Sequence, residues 1–304
     1  SMISQSFSNI KQSDMAHKNR SNWSPYKAKR KPQAANDDTV ASAQGSGSLK
    51  GKHRRSEESF TLDEAEDRLR DVFERHGLKD FPHAKRRTLA RFYVLLMDNQ
   101  NERNFTRLLT LRDVGIKHFV DCLVVPELLR QNGAPLLFPL LDVGTGPGFP
   151  GIPLKILLPD ERIILAEGVQ KRVEFLKSIR EELGLGSPSA PLDILGRNIN
   201  SEVFLPVNGV ITRAVEDASN TLGNVINTLQ TGGRVYLMKG PNCGPEIPMA
   251  LEKWSEYYRL EKDIAYTLTG TPHERRLLVF QKLKPYPLPD FEDLDLAWER
   301  EHGQ

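Results

Sequence analysis

From Phe60 onward apolar residues recur at three- and four-residue steps, with Leu62, Ala65, Leu69, Val72 and Phe73 falling on one helical face. Thr61 ahead of Asp63 and Glu64 supplies an N-cap with acids in the first turn. Leu89–Met97 and Ile116–Leu129 repeat the period. Three helices are therefore predicted ahead of the first strand, forming a small cap, with Arg103–Asp113 as a polar connection. After Leu136 the pattern changes to short apolar runs, each closed by Gly, Pro or Asp and separated by amphipathic segments of helix length. The runs Leu137–Val143, Arg162–Glu167, Leu192–Leu195, Gly209–Thr212, Arg234–Met238 and Leu277–Gln281 are predicted strands. Helices are predicted near Ile152–Leu157, Lys171–Leu183, Ala218–Leu229 and Glu246–Tyr257. This β/α alternation predicts a parallel sheet with helices on both faces. In such sheets ligands bind beyond the carboxyl ends of the strands, near the switch point beside the first strand.

Composition narrows the class. The 304 residues are 38% apolar, enough for a substantial core. The richest apolar stretch, Ala134–Val143, is broken by Pro135, Pro139 and Asp142 and falls well short of the ~20 residues that cross a bilayer. Cys122 and Cys243 form neither a disulfide framework nor a CxxC zinc site, and no signal-like apolar stretch follows Met2. A cytoplasmic protein without membrane or metal is expected.

The overall charge of +2 hides an asymmetry: residues 1–55 carry eleven Lys and Arg against Asp14, Asp37 and Asp38, a net of +8, which leaves −6 for the rest. That segment has few large aliphatics and cannot bury enough surface to offset its ordering entropy, so it reads as a disordered basic arm. It serves either as a tether for nucleic acid or as a solvated linker. Residues 285–304, with Asp290, Glu292, Asp293 and Asp295, read as an acidic tail. The expected organisation is then an arm (1–55), a helical cap (56–135), an α/β domain (136–284) and the tail.

The most informative stretch runs from Leu141 to Pro153, where a predicted strand enters Gly144, Gly146 and Gly148 and then a helix start marked by Pro150 and Pro153. Glycines permit positive φ and leave no Cβ, so the backbone can lie against a ligand at the helix N-terminus. A dinucleotide fingerprint would need Gly where Phe149 stands. The chain reads DxGxGxG from Asp142 to Gly148 instead. Glu167, about 23 residues beyond Gly144, stands near the ~20-residue spacing at which an acid accepts hydrogen bonds from ribose hydroxyls.

This loop resembles the first motif of Rossmann-like class I methyltransferases, which bind S-adenosylmethionine; the resemblance implies that Asp142 answers the ammonium group of the cofactor. The run Asp142–Ile156, DVGTGPGFPGIPLKI, further resembles the signature of the glucose-inhibited division protein B family of bacterial 16S rRNA guanine-N7 methyltransferases. Supporting segments follow in order: Asn104-Phe105-Thr106 with Arg112-Asp113; Lys117-His118 with Asp121; Lys171-Arg172-Val173; Ile211-Thr212-Arg213-Ala214; Leu237-Met238-Lys239-Gly240; and Glu274-Arg275. The resemblance covers roughly residues 60–283. It implies a mainly parallel seven-stranded sheet, with 16S rRNA of the small ribosomal subunit as partner and a monomer. By it, Gly144 and Phe149 line the cofactor, Asn198 and Ile199 flank its adenine, and Arg213 sits at its far edge. Arg213, Lys239 and Arg275 would converge as the catalytic cations, binding RNA phosphate or the O6 of the base, with His118 and Asn104 at the edge of the site. Ile199 stands where the family usually has Glu and cannot offer a side-chain hydrogen bond, which keeps open an alternative: a non-catalytic ribosome-assembly or RNA-binding factor on the same fold.

Overall fold

The computed structural model describes residues 60–103, 106, 108, 110–213 and 216–288. The basic arm, Asn104, Phe105, Ala214 and the acids of the tail lie outside the described residues.

The cap begins with α1 (Leu62–Arg75), whose Thr61 side chain and Glu64 carboxylate form a reciprocal capping box. It packs against α2 (His83–Arg103). The expected third helix is a longer, interrupted run: α3 (Leu111–Val114), a π-helical stretch (Gly115–Val120), α4 (Asp121–Leu123) and α5 (Val125–Gln131). The π-helical stretch widens the turn that carries Lys117 and His118, a distortion frequent at functional sites.

The α/β part contains β1 (Leu140–Val143), α6 (Gly151–Leu157), β2 (Ile163–Ala166), α7 (Gln170–Glu182), β3 (Leu192–Leu195), β4 (Val207–Arg213), α8 (Ala218–Asn224), β5 (Leu229–Lys239), α9 (Glu246–Trp254), β6 (Tyr258–Thr267) and β7 (Glu274–Lys282). Seven strands form one sheet in the order β3-β2-β1-β4-β5-β7-β6. β1 pairs in parallel with β2 and β4, and β7 runs antiparallel to both its neighbours. Six strands answer to the apolar runs. The seventh, β6, carries Glu261, Lys262 and Asp263 at its centre and shifts register between Leu260 and Lys262, so its alternation is interrupted and its outer edge is polar.

Two cores sandwich the sheet, as its period of two requires. Leu140, Ile211, Tyr236, Met238, Leu277 and Val279 join the cap helices, α6 and α7 in one cluster. Leu141, Val210, Val235, Leu237, Leu278 and Phe280 join α8 and α9 in the other. The cap thus buries its apolar faces in the same core as one side of the sheet. The carboxyl ends of β1, β2, β4 and β5, together with the start of the reversed β7, open along one edge of the sheet beside the β1/β4 switch point.

Candidate functional site

The chain leaves β1 through three glycines in left-handed or related backbone regions: Gly144 at φ +66°, Gly146 at +61° and Gly148 at +120°. Beneath them Asp142 is 0% exposed. Its Oδ2 accepts hydrogen bonds from Thr145 Oγ1 at 2.6 Å and from the Gly151 amide, the first of α6, at 2.7 Å. A Cβ on residue 151 would lie 2.2 Å from Leu165 Cδ2 and 2.8 Å from that same oxygen, so only glycine lets the helix start close on the carboxylate. The other oxygen, Asp142 Oδ1, is buried without a partner among the described residues. Burial pushes the carboxyl up to about 7, against the bonds from Thr145 and Gly151 and the charge of Arg213.

Glu167, immediately after β2, is also buried. Its Oε2 accepts from the Gly146 amide at 2.8 Å and its Oε1 from the Val169 amide at 2.9 Å. A Cβ on Gly146 would meet nothing within 4 Å, so open space lies above the loop at that residue. Behind the loop following β2, Asn198 packs so closely on Gly168 that a Cβ there would sit 2.2 Å from its Oδ1. Ile199 is buried in the same cluster as Ala166 and Val203. The structure therefore brings the loops after β1, β2 and β3 together, with Gly146, Glu167, Asn198 and Ile199 in neighbouring positions.

This wiring has a chemical consequence. In a phosphate-binding loop the free amides at the turn and helix start point at an anion. Here Gly146 and Gly151 already donate to Glu167 and Asp142, two carboxylates belonging to the chain. A pyrophosphate would meet negative charge where it needs donors. A ligand bearing a positive charge and hydroxyl donors is the better match for two acids set under the loop, of which Glu167 keeps spare acceptor lone pairs. In this conformation Asp142 braces the loop from below through Oδ2.

The cap supplies the opposite wall. Phe149 packs on Phe92 and Phe119 with ring centroids 5.4 and 6.1 Å apart and stacks on His118 at 4.3 Å and 13°. The Arg213 guanidinium carbon lies 5.2 Å from the centre of the same ring, a cation–π contact. Arg213 also donates to His118 Nδ1 at 2.7 Å. Because arginine cannot accept, Nδ1 carries no proton, and Nε2–H donates to Thr106 Oγ1 at 3.0 Å. Burial, with Arg213 adding to it, pushes His118 down to about 3, so the ring is neutral.

Arg213 and Arg275 meet at one buried acid. Asp121 Oδ1 accepts from Arg275 Nε at 3.2 Å, and Oδ2 lies 3.7 Å from Arg213 Nη1, which also donates to the Lys117 carbonyl. The two side chains keep 19% and 25% of their surface exposed. Burial raises the Asp121 carboxyl above its ordinary range, against the two guanidiniums that lower it.

Lys239 does not join them. Arg213 pairs in register with Met238, so the next residue of β5 projects from the other face of the sheet. There its ammonium binds Glu246 Oε2 at 2.9 Å and the Glu216 carbonyl at 2.5 Å, while Glu246 also accepts from the first amide of α8. The sequence singles out Asp142, Gly144, Gly146, Gly148 and Phe149 at this loop. The bracing roles of Thr145 and Gly151 and the hub role of Asp121 are not legible in it, the one signal for Asp121 being its place between Lys117-His118 and the two arginines in the motif order.

The sequence matches the model of the GidB family, described as rRNA small subunit methyltransferase G, over residues 85–274. It is 58% identical over 240 residues to ribosomal RNA small subunit methyltransferase G 2 of Bdellovibrio bacteriovorus, covering 79% of this chain and 91% of that protein. It is 41% identical to the protein of the same name from Syntrophobacter fumaroxidans over 72% of this chain, a span that is 42% of that longer protein. Among solved structures it is similar to magnesium protoporphyrin IX methyltransferase from Synechocystis PCC 6803 with bound SAM, at 17% identity and a TM-score of 0.45, covering 64% of this chain and 97% of that one.

Proposed function

The chain belongs to the rRNA small subunit methyltransferase G family, and from that premise we propose that it transfers the methyl group of S-adenosylmethionine to N7 of a guanine in 16S ribosomal RNA. One observation supports the cofactor assignment above the rest: the amides of Gly146 and Gly151 are consumed by Glu167 and Asp142, which suits the loop to a zwitterionic sulfonium ligand and unsuits it to a dinucleotide. Gly144, Gly146 and Gly148 would border the cofactor with backbone, Glu167 would accept from its hydroxyls, Asn198 and Ile199 would flank its adenine, and Asp142 Oδ1 would answer its ammonium. The bound cofactor supplies an electrophilic methyl group.

This chain's own residues then have positioning to do. Guanine N7 presents a lone pair on the major-groove edge and carries no proton. Its attack on a methyl carbon calls for alignment and exclusion of water, and no base is needed to create the nucleophile. The neutral His118 agrees with this, since its Nδ1 is taken by Arg213 and it takes up no further proton near neutral pH. Phe149 and His118 form a flat wall, and Arg213 and Arg275, held on Asp121, offer fixed guanidinium donors to O6 of the base or to a phosphate.

The test is borohydride/aniline cleavage of 16S rRNA from a strain lacking the gene. One cleavable site should disappear, return with the wild-type gene, and stay absent with Gly146→Asp, whose side chain enters the open space above the loop beside Glu167. An unchanged cleavage pattern in the deletion strain would sink the assignment. Calorimetric silence towards S-adenosylmethionine would favour the non-catalytic alternative.

A further inference from the structure

A cavity of about 410 Å³ opens in the helical cap between α1 and the start of α3. Phe60, Val72 and Leu111 give it an apolar floor, and Arg68, Arg75 and Arg112 stand around it with Asp71 as the one carboxylate. Among the described residues most arginines are matched: Arg70, Arg86, Arg87, Arg130 and Arg162, for example, each hold an acid. Among the described residues Arg75 and Arg112 make neither an ion pair nor a side-chain hydrogen bond, and Arg68 lies 4.5 Å over the Phe60 ring. Three guanidiniums around one lining carboxylate, with Glu64 acting on Arg68 alone, leave the Arg75 and Arg112 side of the cavity cationic and suited to an anion.

Its position adds to the argument. Arg112 stands six residues before His118 on the same interrupted helical run, within about two turns of the aromatic wall of the site. The cavity and the wall are therefore close enough along that run for one ligand strand to reach both. Forked guanidiniums suit phosphate oxygens, and an arginine-backed aromatic floor suits an unstacked base. The volume falls within the range of small-ligand pockets.

We propose that this cavity binds a single-stranded nucleotide of the RNA substrate next to the target guanine, with Arg75 and Arg112 on its phosphates and Phe60, backed by Arg68, beneath its base. The inference rests on the methyltransferase reading and adds a second anchor to it. Neither Arg75 nor Arg112 supports the fold through a partner, so Arg75→Ala/Arg112→Ala tests the site directly. Lys177→Ala/Arg259→Ala removes the same charge from exposed positions outside the cavity.

The readouts are anisotropy of a fluorescein-labelled single-stranded RNA of about twelve nucleotides across a salt series, and the KM and kcat of methyl transfer to 30S particles. Loss of two phosphate contacts should weaken RNA binding about tenfold and lower the log–log salt slope by about 1.4, at about 0.7 per single-strand contact. The KM should rise with kcat unchanged, and the control pair should leave both near wild type. RNA binding and slope equal to wild type, or an equal effect from the control pair, would overturn the proposal. So would a raised KM for 30S particles with unaltered RNA binding, which would make the partner a ribosomal protein. A wild-type protein that transfers no methyl group to 30S particles overturns the reading beneath the proposal, and the proposal with it.

Discussion

Two buried groups in the site titrate with opposite sign, and their near-cancellation can be taken apart. His118 is held at about 3 in the folded chain against an ordinary 6.5. Between those values the unfolded chain binds a proton that the folded chain refuses, so stability falls as pH drops below 6.5. Asp142 is held at about 7 against an ordinary 3.8. Between those values the folded chain keeps a proton that the unfolded chain releases, so stability rises as pH drops from 7 towards 3.8. At 1.36 kcal/mol per pH unit, moving from pH 7 to pH 5 costs about 2 kcal/mol through His118 and returns about 2 kcal/mol through Asp142. The wild type should therefore show little pH dependence from this pair.

Single substitutions expose the hidden slopes. Asp142→Asn removes the compensating group, so on going from pH 7 to pH 5 its melting temperature should fall further than that of the wild type. His118→Gln removes the other, and its melting temperature should rise relative to wild type over the same change. At about 2–4 °C per kcal/mol for a folded unit of this size, each divergence should be about 4–8 °C. Circular-dichroism melts at pH 5, 6 and 7 and constant ionic strength measure both, and using differences from wild type removes the background of other carboxylates. If both variants track the wild type across this range, the burial argument for the two groups is refuted.

Gly151→Ala should destabilise the protein by about 1–3 kcal/mol and weaken S-adenosylmethionine binding, because its Cβ falls 2.2 Å from Leu165 and parts the helix start from Asp142; denaturant melts and calorimetry check it. Arg213→Met should lower kcat for methyl transfer about a hundredfold, whereas Lys239→Met, on the other face of the sheet, should cost stability through Glu246 and leave kcat within about threefold. Equal losses of kcat would show that the two cations share one task. Asp121→Asn should cost about 3 kcal/mol in urea unfolding, since it leaves Arg213 and Arg275 without their shared acid.

Much of this protein was legible before folding because the deciding interactions are local. Periods of two and 3.6 select strand and helix from the apolar pattern, and the loop from Asp142 to Gly151 is wired within itself: Thr145 and Gly151 bond the carboxylate three and nine residues upstream. The DxGxGxG spacing therefore carried the ligand class. β6 escaped the pattern because a register shift and three central charges interrupt its alternation at a sheet edge.

What tertiary structure alone decided is which distant groups face one another. Strand parity sends Arg213 and Lys239, neighbours by motif, to opposite sides of the sheet. The reversal of β7 returns Arg275 to the edge where Arg213 emerges, 62 residues away in the chain, and the π-helical turn sets Asp121 and His118 against them. Such pairings depend on strand order and face, and on the desolvation that only a completed core imposes. No local spacing encodes either one.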